Sequence, residues 1–208
     1  MKPALRYLRP HHLPGLAAGL LGLAALNAAL GASRPVAPAL YDAGRVIMPT
    51  ALAIVAVASL HSSMDVYEQA AGHSFRRAQW AHLGCVVAVA AMLVAIGTAT
   101  EISVSAAVVS VRAVLANAGL AMVCGRILGW LACWPLPLAV VIPLSLDGQG
   151  GPAGASPWWA WSAAPPAALQ TWTLPAAALA IGGLATYVTA WRTAMAWAAA
   201  RSALRRSR

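Results

Sequence analysis

The sequence predicts an all-α, polytopic membrane protein of six transmembrane helices, and three observations predict it. Of 208 residues, 61% are hydrophobic and only 9% charged. Soluble domains carry about 25% charged residues and roughly 45–50% apolar ones, so this chain has too few charges to cover a water-facing surface. The mean hydropathy is +0.71. The apolar residues also fall into six runs divided by charged, Pro-rich and Gly-rich segments, and one crossing needs about 20 such residues. Little is left over for a soluble domain, so residues 1–208 read as one transmembrane domain.

The first span covers residues 13–32, after the basic residues Lys2, Arg6 and Arg9. A secretory leader also starts basic, but its apolar core is only about 7–15 residues, so this longer run reads as a span entering from the cytoplasm. Gly15, Gly19 and Gly22 line one of its faces and permit close helix approach. A loop carrying Pro35 and Pro38 leads to span two, residues 46–60, which is short for a crossing and so has room to begin earlier. Pro49 is expected in its first turn, where a missing N–H matters least.

A short amphipathic cytoplasmic helix is expected over residues 63–71. Ser62 suits an N-cap and Asp65 the acid of the first turn. Met64, Tyr67 and Ala71 form an apolar stripe, with Asp65 and Glu68 on another face. Gly72 suits the residue after a helix end and Ser74 a second N-cap, so a new helix is expected near Phe75. It carries Arg76, Arg77 and Trp80 into span three, residues 75–100, ended by Glu101. Span four covers 104–124, with Arg126 beyond it. A tight turn leads to span five, 130–146, which Pro135, Pro137 and Pro143 should bend or loosen. An external loop over 147–171 holds Trp158, Trp159 and Trp161. Span six covers 172–191, before a tail with Arg192, Arg201, Arg205, Arg206 and Arg208.

Orientation is set by the 14 basic residues. With both termini inside, eleven lie on inner segments (Lys2, Arg6, Arg9, Arg76, Arg77, Arg126 and the five of the tail) and three, Arg34, Arg45 and Arg112, lie in the outer half. That asymmetry obeys the positive-inside rule and predicts a multi-pass protein of the cell membrane with cytoplasmic termini. The net charge of +9 is thereby assigned to lipid head groups, not to nucleic acid.

Catalytic and cofactor chemistry finds no anchor. A P-loop needs a lysine after its glycines, and the only lysine is Lys2. His11, His12, His61, His73 and His82 all lie near predicted membrane ends and read as interfacial, solvated side chains, without the paired spacing of metal or haem ligands. Every histidine precedes residue 83, and the serines in small-residue strings, Ser33 and Ser156, fall in loops, which disfavours intramembrane serine proteolysis. Cys85, Cys124 and Cys133 lie in or beside apolar runs and read as small core residues. No catalytic, cofactor or metal residue is therefore expected. Two intramembrane polar residues stand out, Asn27 and Arg112. Arg112 either faces a partner or a water-filled cavity, with Asn27, Asp42 or Asp147 within consideration, or snorkels to the outer surface. The Trp158–Trp161 loop either forms an outer aromatic belt or covers a vestibule as a re-entrant hairpin.

This arrangement resembles the permease subunits of ATP-binding-cassette exporters of the drug and O-antigen export type. The residues that carry the resemblance are HSSMDVYEQAAG followed by FRRAQWAH after span two, the turn GRILGW between spans four and five, and the external segment GGPAGASPWWAWSAAPPAALQTW before the last span. The resemblance implies a pair of permease copies, or two related permeases, above separate ATPase subunits that hold ATP and magnesium. It further implies that Met64, Asp65, Tyr67, Glu68, Arg76 and Arg77 couple the ATPase to the spans. Two other classes remain open: a non-catalytic structural or assembly subunit of another membrane complex, and a membrane enzyme.

Overall fold

The computed structural model describes residues 13–33, 38–60, 72–147, 167 and 169–187. Among them there is no strand. The helices are α1 (Leu13–Ser33), α2 (Pro38–Ala58), α3 (Gly72–Glu101), α4 (Val104–Leu128), a 3-10 turn (Trp130–Ala132), α5 (Pro135–Asp147) and α6 (Gln170–Tyr187). Among the described residues two stretches are long and apolar enough to cross a membrane, Arg77–Thr100 in α3 and Val104–Leu128 in α4.

Several boundaries differ from expectation, each for a local reason. α2 begins at Pro38, not near Val46, because proline suits the first helical position. Tyr41, Asp42 and Arg45 thus belong to a helix instead of a loop, and Pro49 lies inside α2 instead of in its first turn. There it withholds an N–H from the carbonyl one turn back. α3 starts at Gly72, three residues ahead of the expected Phe75, since glycine is tolerated at a helix start.

Ser103 caps α4 by accepting the Ala106 N–H at 3.2 Å. α4 runs on past Cys124 to Leu128 and stops at Gly129, whose φ of 108° glycine alone adopts without strain. The expected continuous span over 130–146 is broken: a single 3-10 turn precedes α5, which starts at Pro135. Pro135 therefore initiates a helix rather than bending one.

Contacts establish the directions. Gly44 meets Leu30 and Gly19 meets Val55, so α1 and α2 are antiparallel. Ser59 pairs with His82 and Thr98 with Ser110, which reverses α3 against α2 and α4 against α3. Arg112 pairs with Thr171 and Gly119 abuts Ala178, so α4 and α6 run parallel, with α5 returning between them. The α3–α4 turn therefore shares one end of the bundle with the end of α1 and the starts of α2 and α6.

α4 is the centre of the bundle, packed on α6, α3, α2 and α5, most extensively on α6. Its buried positions are largely Ala and Gly, which lets backbones approach. A Cβ at Gly119 would overlap the Ala178 carbonyl group, and one at Gly182 would lie 2.5 Å from the Gly119 oxygen. Of the glycine face expected on α1, only Gly19 is in contact, with Val55; Gly15 and Gly22 face open space. Leu52, Val57, Val86, Val94, Val114 and Met122 belong to one core cluster. Trp130 is buried against Gly125, where a Cβ would come within 2.6 Å of its ring. Cys124 and Cys133 are buried, whereas Cys85 is exposed on the outward face of α3 that also carries Met92 and Ile96.

Candidate functional site

Arg112 is fully buried, at 0% exposure. It does not snorkel. Its Nη1 donates to Thr171 Oγ1 at the start of α6, and the guanidinium carbon lies 5.7 Å from the centroid of the Trp172 ring. An arginine at the centre of a spanning helix costs about 2.5–3.5 kcal/mol to insert, which is an upper bound for Arg112 in the first half of α4. A hydrogen bond from a charged donor returns about 1.5–3 kcal/mol, and a desolvated cation–π contact about 2 kcal/mol. The two contacts are thus of the size needed to hold the charge inside. Pro175 lies inside α6, four residues after Thr171. Thr171 and Trp172 are not among the partners the sequence suggests.

A second polar group lies on α4. Asn117 is 1% exposed; its Nδ2 donates to the Ala113 carbonyl at 2.9 Å, while its Oδ1 is buried with no partner among the described residues. A buried unsatisfied acceptor costs about 1–3 kcal/mol. The central helix of the bundle therefore carries both a buried cation and a half-satisfied amide.

Asn27, singled out from sequence together with Arg112, goes elsewhere. It lines a recess at the α3–α4 end with Arg45, Thr98 and Ser110.

His82, expected to be solvated, is buried at 9% exposure because it tucks under the end of α2. Ser59 Oγ donates to the Ala56 carbonyl at 2.5 Å and lies 3.0 Å from His82 Nε2. Which of the two atoms donates in that contact depends on the imidazole tautomer. The pair fastens the end of α2 to α3.

Of the coupling residues, Met64, Asp65, Tyr67 and Glu68 lie outside the described residues; Arg76 belongs to α3, and Arg77 is exposed there. Trp158, Trp159 and Trp161 lie outside the described residues. Among the described residues no three His, Cys, Asp or Glu side chains gather as metal ligands would.

Comparison with known proteins places no relative beside this geometry: no family model matches the chain, nor does any curated protein or solved structure.

Proposed function

We propose that this chain is the membrane-spanning permease subunit of an ATP-driven exporter. It crosses the cell membrane six times with both termini cytoplasmic, and moves an amphiphilic or drug-like substrate outward with energy from a separate ATPase. One observation carries the membrane placement. α3 contains the more apolar of the two long stretches, yet only 28% of its apolar window is buried, against 61% for the less apolar α4. A water-soluble protein hides its long apolar stretches; this one turns the more apolar of the two outward and keeps Arg112 and Asn117 inside.

Support for transport is architectural. Successive helices reverse direction, and residues 61–71 connect α2 to α3 at the end opposite the α3–α4 turn. That is where a lever on a soluble ATPase would sit. With no P-loop motif in the sequence, energy has to come from a partner. Backbone contact between α4 and α6 leaves no room for a solute along that seam, so the pathway belongs to a face shared with a second permease copy. The same tight seam also suits a structural or assembly subunit, the second reading.

Affinity purification of the full chain from native membranes separates the two. The permease reading expects a P-loop ATPase to co-purify, and Glu68→Arg to abolish substrate-stimulated ATP hydrolysis while leaving membrane insertion intact. Purification that never captures an ATPase, or unchanged coupling in Glu68→Arg, contradicts it.

A further inference from the structure

The connection between α4 and α5 is as apolar as the helices it joins. No charged residue lies between Arg126 and Asp147, a run of twenty residues, and about 20 is the length of one crossing. Yet α5 itself has only 13 residues. At 1.5 Å per residue that is about 20 Å of helix, against a hydrocarbon layer of about 30 Å. The shortfall of roughly 10 Å is made up only if the residues ahead of Pro135 also lie within the apolar layer.

The side chains of the connection suit that setting. Gly129, at a φ of 108°, turns the chain so that Trp130 packs inward on Gly125. Ile127, Leu128, Leu131 and Trp134 stay at the surface, each more than half exposed. A cluster of large apolar side chains of this kind marks a contact with protein or membrane. The backbone points to membrane, because irregular backbone at such depth has to satisfy its own polar groups. The Gly129 N–H donates to the Gly125 carbonyl at 2.9 Å, and the Ala132 N–H to the Gly129 carbonyl at 2.8 Å. Cys124 donates its S–H to the Ala132 carbonyl at 3.2 Å, and the Trp134 carbonyl accepts from the Leu138 N–H at 3.1 Å. Pro135 brings no N–H that needs an acceptor. These pairings let the turn lie in a medium that offers no hydrogen bonds.

We propose that the α4–α5 connection is a bilayer anchor. Ile127, Leu128, Leu131 and Trp134 insert among the acyl chains beneath the head groups of one leaflet, and the chain reverses there without entering water. Lipid is the occupant because the apolar run continues unbroken into α5, so the layer that solvates that helix also reaches the turn. Trp134, with an apolar ring and a polar N–H, suits the boundary depth. The anchor rests on the bilayer placement proposed above and not on transport, so a failed ATPase co-purification leaves it standing.

The test places a nitroxide label on Leu131→Cys in the full chain carrying Cys85→Ala, reconstituted in phosphatidylcholine vesicles; Cys124 and Cys133 are buried and stay unlabelled. Electron paramagnetic resonance compares collisions with molecular oxygen, which concentrates among acyl chains, and with a water-soluble nickel chelate. Met92→Cys, on the outward face of α3, reports on the bilayer placement by itself. Oxygen should outweigh the nickel chelate by about threefold or more at both positions, as insertion of about 5–10 Å below the head groups requires. Nickel dominating at position 131 with oxygen dominating at position 92 overturns the anchor and leaves the bilayer placement intact. Nickel dominating at both overturns the two together. A label at position 131 that neither reagent reaches places the turn under a protein surface and also overturns the anchor. If Leu131→Cys does not reconstitute, Trp134→Cys decides by the same criterion.

Discussion

α3 and α4 are neighbours of similar length and both are apolar enough to cross a membrane, yet they occupy opposite environments. α4 touches four other helices and is lined with Ala and Gly. α3 presents Met92, Ile96 and Cys85 outward. The difference teaches that hydropathy does not rank burial here. What takes a helix to the centre of this bundle is small side chains, which allow backbone contact, and polar groups, which need partners. In the proposed membrane placement, lipid solvates Met92 and Ile96 as well as a protein core would, so no force draws them inward.

Substitutions on the two helices should therefore diverge. The largest effect is expected from Gly119→Leu, which has to force its side chain into the Ala178 backbone and should destabilise by more than about 3 kcal/mol. Gly84→Leu, on the open face of α3, should stay within about 0.5 kcal/mol. Thermal unfolding in detergent checks both, and equal losses would erase the contrast. Next, Met92→Arg should cost about 2.5–3.5 kcal/mol of insertion free energy, read in a microsomal insertion assay. A water-facing helix would tolerate it within about 0.5 kcal/mol.

Smaller effects probe α4 itself. Thr171→Val removes one acceptor of the Arg112 charge and should cost about 1.5–3 kcal/mol. Adding Arg112→Met should recover most of that, because an apolar replacement for a buried charge is often neutral or better. Purely additive losses in this cycle would mean that the two side chains do not act together. Least affected should be Ser59→Ala, at about 1 kcal/mol, which loosens α2 from α3 at the opposite end of the bundle.

Much of this architecture is legible in the chain, because helix placement depends on apolar run length and on prolines and glycines. The end of α3 and the start of α4 lie close to expectation, at Glu101 and Val104. The start of α2 is harder to read, because Pro38 has the character of a loop breaker and instead opens a helix. The fifth apolar run hides a break because Trp130–Ala132 is as apolar as α5 itself. The site is less legible. Arg112 announces itself by charge, but Thr171 is 59 positions away, and nothing local encodes that pairing. The recess is visible in sequence only through Asn27, since Thr98 and Ser110 are ordinary residues until an antiparallel turn sets them face to face.

Cys85 offers the most direct test of the outward placement of α3. Native membranes containing the chain are treated with a charged, membrane-impermeant maleimide, and cysteine peptides are mapped by mass spectrometry. With that face against lipid, Cys85 should remain unmodified until the membrane is dissolved and the chain unfolded, despite its exposure on the bundle surface. Rapid modification of Cys85 in intact membranes, with Cys124 and Cys133 still protected, would place α3 in water and contradict the account.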